Sequence, residues 1–257
     1  MTEGQVTLRR DGPFGFVTLD NEAKRNAMTY AMYQGLARAF DELSADPDVR
    51  VILLKGAGRK AFTAGADVSQ FAKHSVADMD VAVATTLGAL DRITKPIIAV
   101  VHGYCIGGGL SLLLRCDLRF ADTESRFAMT SAKLGFAWTY RGTRDLTNAV
   151  GPALARDLLF TGRTINADEA LRAGLVNQVA PPDSLEAAAL EHAKLVAANA
   201  PLSIASSKLM LREILNGPTP DGMANIEAAI NACAESEDGR EGQLAFRERR
   251  PPRFTGR

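Results

Sequence analysis

Cysteine, histidine and tryptophan are scarce in this chain of 257 residues, which has three, three and one of them. Cys105, Cys116 and Cys233 are odd in number and show no Cys-x-x-Cys or Cys/His clustering. That pattern argues against a zinc site and favours a reducing compartment. Charge of one sign is missing as well. Thirty Lys and Arg balance thirty Asp and Glu, so no net field draws the chain to nucleic acid or to an anionic membrane. The run Arg247-Glu248-Arg249-Arg250 is a local basic patch at most. No apolar stretch is long enough to span a bilayer, and Met1-Thr2-Glu3-Gly4 lacks the basic-then-apolar pattern of a signal peptide. The default expectation is a cytoplasmic protein with neither nucleic acid nor membrane as partner, and with no metal. His74 and His192 lie in polar stretches that read as solvated surface, and Cys105, between Tyr104 and Ile106, reads as a small buried apolar residue.

Two chain segments around Asp11-Gly12-Pro13, Val6–Arg9 and Phe14–Leu19, alternate apolar and polar residues, which is a hairpin signal. From Thr29 to Ser44, Met32, Leu36, Phe40 and Leu43 recur at helical spacing. Val51–Leu54 and Ile97–Val101 are short apolar runs, as expected of strands covered on both faces. Asp78 to Ile93 reads as a helix, Leu110 to Leu114 as a buried helix, and Asp117 to Ala121 as a strand. This alternation continues to about Gln178 and predicts a mixed α/β core with layered sheets. Beyond Pro181-Pro182 the pattern is helical only, over Leu185–Asn199, Leu202–Leu215 and Gly222–Glu237. The expected division is an α/β core over 1–180 and a helical region over 181–257.

Two glycine-bearing segments stand out: Ala61-Phe62-Thr63-Ala64-Gly65-Ala66-Asp67 and Gly103-Tyr104-Cys105-Ile106-Gly107-Gly108-Gly109. Each reads as a tight turn feeding a helix, which leaves backbone N–H groups free to meet an anion. Brought together, two such turns can hold one developing negative charge on a carbonyl oxygen. A phosphate loop would need lysine after the glycines, and Gly109-Leu110-Ser111 has none. Gly107-Gly108-Gly109 also misses the dinucleotide-binding spacing. Close helix–strand packing is the plain alternative.

These segments, together with Lys24-Arg25-Asn26-Ala27-Met28, Cys116-Asp117-Leu118-Arg119, Leu158–Gly162, Ala167–Asn177 and Glu241–Arg250, resemble the crotonase superfamily, the enoyl-CoA hydratase/isomerase family. The resemblance covers nearly the whole chain. It implies a spiral of ββα units with a C-terminal helical region that builds homotrimers, often paired into hexamers. It also implies acyl-CoA chemistry in which coenzyme A belongs to the substrate and no cofactor is covalently bound. By motif, the N–H groups of Ala64 and Gly108 would form an oxyanion hole. Ala64, Gly65, Ala66 and Asp67 would line the CoA arm, with Lys24, Arg25 and Ala27 near its nucleotide end. Asp67 reads rather as a cap of the following turn.

The resemblance also marks departures. Hydratases of the family carry one glutamate two residues past the triple glycine and another about twenty residues on; these positions hold Ser111 and Ser131 here. Serine at its ordinary pKa does not shuttle protons near neutral pH without an adjacent base. Ser111 reads as a small pocket residue or water holder, and Ser131 equally as a helix cap. Around Trp138 the chain is similar to the methylmalonyl-CoA decarboxylase branch, but Ala66 and Trp138 replace its histidine and tyrosine. Tyr140 and Arg141 remain the polar candidates to hold an acyl carboxylate or carbonyl, and His102 is the first suspect for a displaced base. The expected function is an acyl-CoA lyase step such as decarboxylation. A hydratase with a displaced base and a non-catalytic acyl-CoA-binding protein are the alternatives.

Overall fold

The computed structural model describes residues 4–257. It opens with the hairpin β1 (Gln5–Asp11) and β2 (Phe14–Asp20), paired from Gln5 against Asp20 to Asp11 against Phe14. Helix α1 (Tyr30–Ala45) follows, with the Thr29 hydroxyl accepting from Met32 N–H at its start. Its apolar stripe, Met32, Leu36, Phe40 and Leu43, is fully buried. Then come β3 (Val51–Gly56), β4 (Ala61–Thr63), α2 (Val76–Arg92), β5 (Ile97–Val101), β6 (Tyr104–Ile106), α3 (Gly108–Leu113), β7 (Leu118–Asp122) and β8 (Arg126–Ala128). Helix α4 (Tyr140–Thr161) is bent at Gly151, whose φ of 77° is followed by Pro152. The strand β9 (Thr164–Asn166), helix α5 (Ala167–Arg172) and strand β10 (Gln178–Ala180) complete the α/β part.

The chain alternates between two sheets. One has the order β1-β2-β3-β5-β7-β10 and the other β4-β6-β8-β9. Each turn of the spiral therefore lays one strand in each sheet, β3 then β4, β5 then β6, β7 then β8, with parallel pairing along the turns. The large sheet lies between two apolar clusters, and the two-residue period of a strand sorts its side chains between them. Ile52, Leu54, Ile97, Ala99 and Val101 face one cluster; Val51, Leu53, Ile98 and Val100 face the other. That is why β5 reads as an unbroken apolar run.

After β10 only helices follow: α6 (Leu185–Ala197), α7 (Pro201–Asn216), α8 (Pro220–Glu235) and α9 (Glu237–Glu248). Helix α6 packs Leu185, Ala189, Ala193 and Ala197 onto the second face of the large sheet, so it belongs to the cover of the core. Helices α7 and α8 leave Leu211, Ile214, Met223 and Ile230 exposed, and Phe246 of α9 is 85% exposed. Among the described residues, no helix is long and apolar enough to cross a membrane. His74 and His192 are half-buried rather than solvated: His74 stacks on Tyr30 and His192 tilts against Phe120.

Candidate active site

The turn between β2 and α1 is where the site begins. Arg25 and Asn26 both adopt left-handed backbone, with φ of 53° and 54°, a conformation uncommon outside glycine. Asn26 is fully buried and pins it: its Oδ1 accepts from Asn21 N–H, while Nδ2 donates to the carbonyls of Ala57 and Ala61 at 2.9 and 2.7 Å. So fixed, the Lys24–Met28 turn runs beside Ala64–Asp67 as a short ladder. Ala64 N–H donates to Arg25 O at 3.0 Å, Met28 N–H to Gly65 O at 2.8 Å, and Asp67 N–H to Met28 O at 2.9 Å. Gly65 N–H turns back to the Thr63 hydroxyl. The N–H left over is that of Ala66, which has no acceptor among the described residues.

The second turn closes β6. Gly107 N–H donates to Ala128 O, while its carbonyl accepts from Leu110 and starts α3. Gly108, the first residue of α3, is exposed and its N–H has no acceptor among the described residues. The two turns meet here. A Cβ on Gly108 would lie 3.6 Å from Ala66 N, and one on Gly65, where φ is +93°, would lie 3.2 Å from Gly108 N and 2.9 Å from Ile106 O. Only glycine fits at Gly65. The unpaired donors brought face to face are thus Ala66 and Gly108. The Ala64 N–H is not among them, because it donates to Arg25 O at 3.0 Å, next to the parallel bridge between Met28 and Ala66.

The side chains singled out for the acyl group lie on α3, just beyond β8 and around the start of α4. Trp138 Nε1 donates to Ser111 Oγ at 3.0 Å. The indole also lies against Gly142, where a Cβ would come within 2.6 Å of it. Ser131 opens a short turn beyond β8; it is half-buried, caps no helix, and its hydroxyl bonds to no described residue. Tyr140, a candidate from the sequence to hold the acyl group, is the first residue of α4 and is 83% exposed. Arg141 holds Asp91 through both guanidinium arms, at 2.5 and 2.6 Å, so its charge is spent on that carboxylate rather than presented to an acyl group. Arg115 pairs with Asp145, which also takes Arg144 at 3.0 Å.

Charges near the Ala64–Asp67 turn are equally committed. Lys24 Nζ reaches Asp67 Oδ2 at 2.8 Å, and Asp67 Oδ1 accepts from Ser69 N–H, so Asp67 caps the next turn. Burial pushes the Asp67 carboxyl up, but the bonds from Lys24 and Ser69 outweigh it and hold the group below the ordinary carboxylate range. Arg25 lies over the Tyr104 ring at 5.1 Å. His102 lies on the far side of β6 from Gly108. Its Nδ1 is 2.8 Å from Asp122, and its buried Nε2 has no hydrogen-bond partner among the described residues. A strand rises about 3.3 Å per residue, so β6 keeps His102 well away from the donors. Among the described residues no group of His, Cys, Asp and Glu is arranged to hold a metal ion.

With this geometry in hand, comparison with known proteins decides the family. A model of the enoyl-CoA hydratase/isomerase family matches residues 12–257. The chain is 32% identical to a short-chain-enoyl-CoA hydratase of Clostridium acetobutylicum over 253 residues, covering 97% of each. It is 35% identical to the (E)-benzylidenesuccinyl-CoA hydratase of Thauera aromatica over 257 residues, covering 98% of this chain and 99% of that one. The crystal structure of an enoyl-CoA hydratase from Bacillus anthracis superposes with a TM-score of 0.91 at 29% identity, over 98% of this chain and 100% of that one. The chain belongs to the enoyl-CoA hydratase/isomerase family. Its mixed α/β architecture with parallel sheets is the fold of that family's solved structures.

Within this family member, sequence reasoning found the two glycine turns and missed three residues: Asn26 and Tyr33, which border them, and Asp91, which holds Arg141. Asn26 carried the signal of an amide inside a charged turn. Asp91 carried none, because its partner Arg141 is fifty residues away. Tyr33 is the third; it lies off the apolar stripe of α1, and its hydroxyl reaches 3.5 Å from where a Cβ on Gly108 would sit.

Proposed function

We propose that this protein acts on an acyl-CoA thioester, and that Ala66 and Gly108 stabilise the enolate formed from it in a step without a carboxylate base. The observation that carries this reading is the pair of unspent backbone donors at Ala66 and Gly108, with serine at 111 and 131 and with Asp67, the carboxylate of the same turn, held by Lys24. A thioester enolate is costly in water, and one preorganised donor is worth about 3 kcal/mol in such sites. Decarboxylation of a malonyl-type thioester produces an enolate by losing carbon dioxide, with no proton removed, so donors alone suffice for that step. The Ala64–Asp67 turn, with Lys24, Arg25 and Ala27 beside it, is the side on which the CoA arm is bound. Ser111, fixed by Trp138, and Ser131 bound the acyl side.

The second reading is hydration with a base other than the two serines, favoured by the hydratase names of the relatives. Mass spectrometry of a panel of malonyl-type and enoyl thioesters incubated with the protein separates the two. Loss of carbon dioxide supports the proposal, gain of water supports hydration, and binding without any turnover leaves a carrier. For assembly we propose a homotrimer, alone or paired, built through α7, α8 and α9, since their exposed apolar residues have no cover within the chain. A monomeric mass in native solution at micromolar concentration contradicts that assembly.

A further inference from the structure

We infer that the Tyr33 hydroxyl is a third hydrogen-bond donor to the thioester oxygen, engaged as that oxygen becomes an oxyanion between Ala66 and Gly108. The inference rests on the reading of those two N–H groups as an anion site. Three atoms surround one point on the exposed face of Gly108: Tyr33 Oη, Ala66 N and Gly65 Cα lie 3.5, 3.6 and 3.7 Å from where a Cβ on Gly108 would sit. The phenol hydroxyl thus borders the same small space as the donors.

Tyr33 is 93% buried by side-chain surroundings that are otherwise apolar, with 7% of its surface exposed. Its hydroxyl bonds to no described residue, although its own carbonyl accepts from Thr86. A ring serving packing alone needs no hydroxyl, and this hydroxyl oxygen is not among the side-chain atoms that are sealed off without a partner, so a ligand atom can reach it. Two other hydroxyls, Ser111 Oγ and Thr63 Oγ1, accept from Trp138 and Gly65 N–H, and neither is among the three heavy atoms nearest that point. Burial raises the Tyr33 pKa far above neutrality, so the phenol remains a donor and is no base.

The chemistry assigns the moment at which this donor acts. A ground-state carbonyl oxygen offers two lone pairs, which Ala66 and Gly108 fill. An enolate oxygen carries more charge and takes a further donor. A bond made only then stabilises the transition state without tightening substrate binding, which raises the rate of the chemical step.

Acetoacetyl-CoA tests this without any turnover, because its enolate has its own near-ultraviolet absorbance. With protein in excess, the pH at which the bound ligand is half enolate reports the stabilisation of the oxyanion. The expected result is a midpoint well below that of the free ligand in the wild type. In Tyr33→Phe it rises by one to two pH units, a ten- to hundredfold loss, about that of one oxyanion donor. Phenylalanine keeps the ring, and a cooperative thermal transition verifies the fold. A second variant with 3-fluorotyrosine at position 33 keeps ring and hydroxyl and donates more strongly, so its midpoint falls below that of the wild type. Equal midpoints in all three proteins overturn the role of Tyr33 while leaving Ala66 and Gly108 in place. A wild-type midpoint equal to that of free acetoacetyl-CoA overturns the anion site itself, and Tyr33 with it.

Discussion

At the two glycine turns, the backbone N–H groups of Ala66 and Gly108 stand unpaired and close together. Around α3 and the start of α4 the polar side chains are engaged: Ser111 with Trp138, Arg141 with Asp91, and Asp145 with Arg115 and Arg144. The first region is held by a buried asparagine, two left-handed residues and a glycine that no other residue replaces. The second is a set of bonded partners with Tyr140 turned out to solvent. An arrangement of this kind keeps the means to stabilise negative charge and lacks evident means to move protons. It favours reactions whose difficulty lies in forming an enolate.

The strongest test of the backbone side is Gly108→Pro. Proline is well tolerated at the first position of a helix, so the fold is retained while the donor is lost. Turnover of any thioester is expected to fall about 100-fold or more, measured as kcat at saturating substrate. Wild-type turnover in the folded variant would remove Gly108 from the anion site.

Next in size is Asn26→Ala. It strips the carbonyls of Ala57 and Ala61 and the N–H of Asn21 of their partner. Buried groups left unpaired cost about 1–3 kcal/mol each, and a loss of about 3 kcal/mol is expected in urea unfolding at fixed protein concentration. Because the same turn holds Ala64–Asp67, turnover should fall with it. A stable variant with unchanged turnover would separate the turn from the site.

These two positions also show what the sequence makes legible. The glycine turns are readable because they depend on local backbone requirements, and β5, α1 and α6 because their apolar periods match the faces they bury. Which N–H of a turn stays free is not local. It depends on the ladder between Arg25–Met28 and Ala64–Asp67, formed by segments about forty residues apart, which occupies the Ala64 N–H and leaves that of Ala66 unpaired. Arg141 and Tyr140 are adjacent in sequence, yet one meets Asp91 and the other meets water. Tyr33 reads as a filler of α1 until the start of α3 is placed against it. Side-chain partnerships between distant elements leave no periodic signal, and the pair of Arg141 with Asp91 is one of them.

Among the side chains, Ser111→Glu with Ser131→Glu is expected to add little hydration of crotonyl-CoA by itself. The indole already bonded to Ser111 occupies the space that a longer side chain needs. Adding Trp138→Ala frees it, and the triple variant should gain tenfold or more, toward the contribution typical of general acid–base groups, about 100-fold each. Full gain in the double variant alone would show that Trp138 is no obstacle. The smallest effect is expected from thiol reagents. Burial raises the Cys105 thiol well above its ordinary value and Cys116 to about 12. Cys233, half-buried, should therefore react alone in the native protein, with all three reacting in denaturant and turnover unaffected by modification of Cys233. Rapid native labelling of Cys105 would show that the floor beneath the glycine turn opens.

The most direct test of the central claim is the rate of crotonyl-CoA hydration by the wild-type protein, followed as loss of the enoyl absorbance at saturating substrate. With donors present and no free carboxylate at Ser111 or Ser131, hydration should run at least about 100-fold below the roughly 10 per second typical of enzymes. A rate near 10 per second would contradict the account and place a working base among residues that the described geometry leaves unassigned.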